Sequence, residues 1–431
     1  MAISKDLLRE CIVSQREIVN TAEIVERPYQ FEDEMNYVLV GVRHVGKSYL
    51  LYQRIRQLFT QGHTWDDVLF LNFDDERLAE ITTLDLNLIL EVHGIYSKQK
   101  PILFLDEIQR VEHWEQFARR LADSKYTVYI TGSNAKMLSS EVATTLGGRF
   151  LIQEIYPFSF SEFISGKGIR LDKDWCYSTS ARSEVQRAYL EYFTYGGLPE
   201  ILSIVSPAVK RSYLSSLYQK IYLGDICARH RISDAKVLNI LIKKIAESVK
   251  QPISYRRLNH VIVSTGSRLS LPTTISYMDY AEESWLTLPI KNQLAQLSEK
   301  ESTKKYYLID NGLLNLFLYK GETTLLENIV CIELCRRYGK DNVSYYNAAD
   351  HEIDFVVEEA RLAIQVTYSM QEDETREREL IPLAKFQSQH PDWTCLLITN
   401  DNRDSYTSDN QKLQAIPAYQ WLLGVGSPVV R

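Results

Sequence analysis

Residues 41–48 read Gly-Val-Arg-His-Val-Gly-Lys-Ser, which satisfies the spacing G-x-x-x-x-G-K-[ST] at every fixed position. Each residue type has a physical reason. Gly41 and Gly46 let the backbone turn so that the N–H groups of Arg43, His44, Val45, Gly46, Lys47, Ser48 and Tyr49 can face a polyanion, and the helix that follows adds its positive end. Lys47 would reach the terminal phosphates, and the Ser48 hydroxyl would join a Mg²⁺ shell. A second chemical pair lies at the end of Ile102-Leu-Phe-Leu-Asp-Glu. Asp106 leaves that run where it can hold Mg²⁺ through water, and Glu107 is placed to polarise an attacking water. The polar residues closing Ile130-Thr-Gly-Ser-Asn carry a third set. Ser133 or Asn134 either touches the terminal phosphate or the water, or caps the next helix.

These residues need a scaffold that brings strand ends together. Short apolar runs at 37–40, 67–73, 101–107 and 127–133 alternate with helical stretches, and Trp114, Phe117 and Leu121 recur on one helix face. Buried strands separated by helices predict a parallel sheet covered on both faces. Residues 1–35 read as polar and helical, broken at Arg27-Pro28. After about 165 the pattern becomes helical, with long segments near 184–195 and 208–225. Residues 284–290 read as a strand, hairpin or wing. A second alternation follows: strands at 305–310, 343–347, 352–358, 362–368 and 394–400, with helices at about 323–338 and 371–388.

At 431 residues the chain has room for about three domains. Hydrophobic residues at 45% and charged residues at 24% are ordinary for a soluble globular protein and exclude wholesale disorder. A net charge of −7 excludes a uniformly basic surface but not a local basic patch. Six scattered cysteines and eight histidines form no zinc-like spacing, so reduced thiols are expected. No run approaches the roughly 18–20 apolar residues that span a bilayer. These features together predict a cytoplasmic protein with no membrane segment.

The motifs GVRHVGKS, LFLDEIQ, ITGSN, GGRF, YPFSFSEF and YGGLPE occur in this order, and with them the chain resembles the AAA+-type P-loop ATPases of bacteria and archaea that carry a poorly characterised C-terminal region. The resemblance implies ATP and Mg²⁺ as cofactors and an α/β fold. Its parts would be a P-loop core with a parallel sheet at 1–165, a helical lid at 166–230, a winged helix at 231–300 and a small restriction-endonuclease-like domain at 301–431. Arg149, after two glycines, stands where related ATPases carry an arginine finger, which would act on a neighbour's nucleotide in a homo-oligomer; otherwise it is a surface arginine. Gly197-Leu198-Pro199 is similar to an element that sets a prolyl ring beside adenine, or else forms a tight interhelical loop.

Between 229 and 270 nine Lys and Arg stand against Asp234 and Glu247, a local charge of +7. The segment reads as helix, turn and second helix, with Thr273 or Thr274 capping the second. It predicts contact with duplex DNA phosphates, or else a solvated lid. The C-terminal pattern resembles the PD-(D/E)xK nuclease fold through Glu327, Asp354 and Gln365. Thr367 takes the usual lysine position, which argues against cleavage unless Lys385 substitutes. Three functions follow. The first is an ATP-hydrolysing protein acting on DNA, the second a slowly hydrolysing nucleotide-gated interaction switch, and the third an ATP-dependent endonuclease.

Overall fold

The computed structural model describes residues 3–132, 140–408 and 411–425. It divides into two compact units, residues 1–155 and 156–431.

The first unit is a five-stranded parallel sheet in the order β2-β3-β4-β1-β5. Its strands are β1 (Asn36–Val40), β2 (Val68–Asn72), β3 (Ile102–Asp106), β4 (Val128–Gly132) and β5 (Phe150–Glu154). The helices between them are α2 (Lys47–Thr60), α3 (Leu86–Tyr96), α4 (Trp114–Asp123) and α5 (Ser140–Leu146), and α1 (Lys5–Thr21) precedes the sheet. Phe104, Tyr129 and Tyr37 face one another across β3, β4 and β1, with centroids 4.7 and 5.6 Å apart and nearly parallel rings. This cross-strand row pins the register. The four strands expected from apolar runs are present. The fifth, β5, has only Phe150 buried among its five residues, because it is an edge strand, and so it leaves no apolar run to read.

Helix occupies only part of the expected 1–35. Residues 22–35 are not helical, and Gln53 of α2 holds Arg27 by both its backbone groups, at 2.9 and 2.8 Å. Pro28, which lacks an N–H and disfavours helix in the residue before it, fits that extended course. Gln15 of α1 does the same for edge strand β2, exchanging bonds of 2.7 and 3.2 Å with Asn72.

The second unit begins with α6 (Phe160–Gly166), α7 (Thr179–Tyr195) and α8 (Pro207–Gln219), the last running into a π-helical stretch at Lys220–Ala228. There follow α9 (Ala235–Glu247), β6 (Ile253–Ser254), α10 (Tyr255–Ser264), α11 (Leu271–Glu283), β7 (Thr287–Asn292), α12 (Leu297–Ser302), β8 (Thr303–Leu308), α13 (Asn311–Asn315) and α14 (Glu322–Tyr338). The remainder is β9 (Val343–Asn347), β10 (Glu352–Val357), β11 (Leu362–Thr367), α15 (Asp373–Gln389), β12 (Thr394–Thr399), β13 (Asp404–Ser408), β14 (Gln411–Pro417) and α16 (Ala418–Trp421). The strands form one nine-stranded mixed sheet, β13-β14-β12-β11-β10-β9-β7-β8-β6. β7 and β8 pair antiparallel on either side of α12. β7 also pairs with β9 and continues the sheet. The N-cap of α11 is Ser270, accepting from the Thr273 N–H at 3.2 Å, in place of the expected Thr273 or Thr274. Thr274 is buried and turns its hydroxyl back to the Ser270 carbonyl. No helix among the described residues is long and apolar enough to cross a membrane.

Asp310, just past β8, organises the turn after α7. Its carboxylate accepts from the N–H groups of Gly197 and Gly312 at 2.8 Å and of Leu313 at 3.2 Å. Gly196, at φ 80°, leaves no room for a side chain, since a Cβ would stand 2.1 Å from Asp310 Oδ1. A Cβ on Gly197 would stand 2.3 Å from the Phe158 carbonyl. The glycines of YGGLPE are thus required by close packing inside this unit. Burial pushes the Asp310 carboxyl up to about 6, against the pull of its three N–H donors. A folded-state value above the unfolded one means that the native chain binds this proton first, so the group's contribution to stability improves as pH falls from 6 toward 4. In urea titrations, wild type is expected to gain on Asp310→Asn by on the order of 2–3 kcal/mol between pH 7 and pH 4. A difference that stays constant would show that the carboxyl titrates normally.

Candidate functional site

The first site is built where β1, β3 and β4 end side by side. β1 runs into the loop at Gly41, whose absent side chain admits the Ile155 carbonyl, 2.3 Å from where a Cβ would be. Gly46, at φ 90°, turns the chain into α2 and serves as its N-cap. His44 is also left-handed, at φ 61°. Successive N–H groups in such a turn at a helix start form an anion cradle. Lys47 is buried, its ammonium donating to the Gly41 and Val42 carbonyls at 3.0 Å each. Tyr49 points outward, half exposed and beside the Tyr52 ring, so only its backbone belongs to the cradle.

Asp106 has no exposed surface. Its Oδ1 accepts from the Ser48 hydroxyl at 3.1 Å and from the Thr131 hydroxyl, while Oδ2 has no hydrogen-bond partner among the described residues. Burial, reinforced by Glu107, pushes this carboxyl up to about 6; Thr131, Ser48 and Lys47 pull the other way. An orphaned buried carboxylate oxygen beside a serine hydroxyl fits the shell of a hydrated Mg²⁺ ion bound with nucleotide. Glu107 follows at φ 54°, a conformation that costs a non-glycine residue roughly 1 kcal/mol and gathers at functional sites. Its N–H donates to Thr131 Oγ1 at 3.0 Å, and its carboxylate accepts from Gln109. Thr131 therefore fixes both acids at once. The sequence reading missed it, although a hydroxyl closing a buried strand beside an acid-terminated one was a usable signal.

Asn134 and Ser133 lie outside the described residues. Arg149 immediately precedes β5, whose first residue Phe150 lies opposite Asn36 rather than Val40, at the end of the sheet away from the loop, and its Nε pairs with Asp123 at 2.5 Å. Four strand steps at ~3.3 Å each, about 13 Å, keep it away from its own chain's cradle. Pro199 opens a short 3₁₀ turn in the second unit.

A second cluster lies in the second unit, where Glu327 of α14, Asp354 of β10 and Gln365 of β11 do come together. Asp354 falls at a register shift in the β9–β10 ladder, an irregularity of the kind that re-aims a side chain. Asp354 Oδ2 accepts from the Val366 N–H at 2.9 Å, Gln365 Oε1 from the Asp354 N–H at 3.3 Å, and Gln365 Nε2 donates to Glu379 at 2.7 Å. Glu327 accepts from the Tyr307 hydroxyl at 2.7 Å, and burial, with Asp354 next, pushes its carboxyl up to about 8. Lys385 does not substitute for the missing lysine: it pairs with Asp350 on the surface. The cation present is Lys305 of β8, fully buried, with Nζ 2.7 Å from Glu352, 3.7 Å from Asp354 and 3.9 Å from Glu327. A charged residue in an otherwise apolar strand, KYYLID, was the signal for it.

Fold and cradle define a P-loop nucleotide-binding domain, and residues 33–164 match the AAA domain family. Residues 186–324 match a domain of unknown function, DUF8612. The chain is 31% identical to the uncharacterized protein MJ1544 of Methanocaldococcus jannaschii over 98% of its own length and 96% of that protein's, and it belongs to the same family. An uncharacterized protein of Haemophilus influenzae is 30% identical over 94% and 99%. The Walker-type ATPase PABY2304 of Pyrococcus abyssi is a distant structural match. It is 14% identical, covers 73% of this chain and 95% of its own, and has a TM-score of 0.39, too low to carry an argument.

Replacing Thr131 with Val keeps the shape and removes the hydroxyl that holds Asp106 and the Glu107 N–H. Losing a hydrogen bond to a charged group costs roughly 1.5–3 kcal/mol. Thr131→Val is therefore expected to weaken Mg²⁺-dependent nucleotide binding by about tenfold or more while Mg²⁺-free binding changes little. Fluorescent-nucleotide titrations with and without Mg²⁺ read both quantities, and equal losses in the two would assign Thr131 a purely structural role.

Proposed function

We propose that this protein binds and hydrolyses ATP, and that the cycle moves its second unit on duplex DNA. The observation that carries the reading is the constellation Lys47, Ser48, Asp106, Glu107 and Thr131 at adjacent strand ends. In it, Lys47 and the loop N–H groups hold the phosphates, and Ser48 and Asp106 hold Mg²⁺, which supplies neutralising charge on the phosphoryl oxygens. Glu107, turned by its left-handed backbone and steadied by Gln109, orients and accepts the proton of the attacking water. Lys47→Ala is expected to abolish ATP binding, and Glu107→Gln to keep binding while turnover falls at least about a hundredfold. Turnover unchanged in both purified variants would end this reading. The adenine-contact role for Pro199 and the phosphate-sensing role for Asn134 belong to the same proposal. So does an arginine finger at Arg149, which, out of reach of its own cradle, would act in a homo-oligomer. Its replacement by Ala would then cost roughly 10³–10⁵ in rate.

Two further assignments extend the proposal. The winged helix assigned to residues 231–300 is supported by the element order helix, strand, helix, helix, strand, short helix, with β8 just beyond it completing the β6-β8-β7 pairing. Residues 301–431 form a nuclease-like fold in which Thr367 stands at the lysine position. DNA contact is supported by Arg231, Lys236, Lys243, Lys250, Arg256, Arg257 and Arg268, all exposed and in no ion pair among the described residues. α11 itself has no Lys or Arg and carries Asp279, Glu282 and Glu283, which favours backbone contact through α10 and the following loop over base reading by α11. The triple replacement of Arg256, Arg257 and Arg268 by Ala is expected to weaken duplex binding and flatten its log–log salt slope by about 0.9 for each lost phosphate contact. An unchanged slope, together with slow turnover indifferent to DNA, would favour the nucleotide-gated switch instead.

A further inference from the structure

Three carboxyls, from Glu327, Glu352 and Asp354, stand within 3.9 Å of one ammonium that has 1% of its side chain exposed. Bringing acids from a helix and a strand to one buried point demands a cation, because each unpaired buried charge costs several kcal/mol. In this cluster the cation comes from the chain. Lys305 also lies over the Tyr345 ring, 5.2 Å from its centroid, so the aromatic face completes its surroundings. The fold fixes these groups around the ammonium: Asp354 Oδ2 accepts from the Val366 N–H, Gln365 Oε1 from the Asp354 N–H, and Glu327 Oε1 from the Tyr307 hydroxyl.

We propose that the Lys305 ammonium is the resident cation of this cluster, occupying the place of a divalent ion among Glu327, Asp354 and Gln365, so that the second unit holds its nuclease-like centre closed without metal. Lys305 does not replace the catalytic lysine of a cleaving enzyme, because its charge is spent on the carboxylates that would otherwise coordinate the ion. It also fastens β8, the strand shared with the three-helix segment, to α14 and β10. Every residue involved lies in the second unit, so the inference is independent of the ATPase reading.

Mn²⁺ binding to the full-length, nucleotide-free protein tests it, followed by electron paramagnetic resonance. Wild type is expected to show no Mn²⁺ site that Asp354→Asn removes, and its melting temperature to be indifferent to chelator. Lys305→Met is expected to bind Mn²⁺ roughly tenfold or more tightly than wild type, with the gain lost in Lys305→Met/Asp354→Asn. A Lys305→Met protein that folds only when Mn²⁺ is added supports the proposal equally. Should it not fold under either condition, Lys305→Gln, which keeps the length and a donor, takes the same measurement. Three results would overturn the proposal: an Asp354-dependent Mn²⁺ site in wild type, Mg²⁺-dependent duplex cleavage lost in Asp354→Asn, or no gained Mn²⁺ site in either Lys305 variant.

Discussion

The first unit depends on one constraint: a carboxylate with no exposed surface must be held at the end of a central strand. Asp106 can be there only because two hydroxyls from neighbouring elements reach one of its oxygens, Ser48 from the helix after β1 and Thr131 from β4. That requirement explains the strand order. With β3 between β2 and β4, and β1 next to β4, the loop after β1 and the end of β4 open onto the same corner. The row of Phe104, Tyr129 and Tyr37 holds the register that brings those three ends level. The second oxygen of Asp106 has no hydrogen-bond partner among the described residues, an arrangement that suits it to a coordination role.

The second unit meets the same problem twice and answers it differently. Asp310 forms no ion pair among the described residues; three backbone N–H groups hold its carboxylate, and burial outweighs them and raises its affinity for a proton. Lys305 has three carboxylates and an aromatic face. Both sit on or just past β8, the strand at which the three-helix segment enters the large sheet. Each buried charge restricts the arrangement of its neighbours, because a displaced partner would leave it unpaired.

Most of the site in the first unit was legible in the residues. The eight-residue loop, the acid pair after ILFL and the four apolar strands needed only spacing and periodicity, both local properties. The misread elements have several causes. β5 and β13 are edge strands with exposed side chains, so they lack the apolar signature of a buried strand. The stretch at 22–35 reads as helix by composition, but its course is fixed by Gln53, 26 residues from Arg27. The cap of α11 moved to Ser270 because Thr274 was needed in the core.

The sequence by itself determined the chemistry on offer: a phosphate-binding loop, a pair of acids, a basic stretch at 229–270, and Glu327, Asp354 and Gln365 with threonine at 367. Only the tertiary structure decided which groups meet. It chose Lys305 over Lys385 as the buried cation, brought in Thr131 to hold both acids, and showed that the glycines of YGGLPE make room for Asp310 and Phe158. The physical reason is that a residue's type and spacing set what it can donate, accept or neutralise. Whether it does so depends on desolvation and on partners brought within about 4 Å by distant parts of the chain, and neither is encoded in any local window.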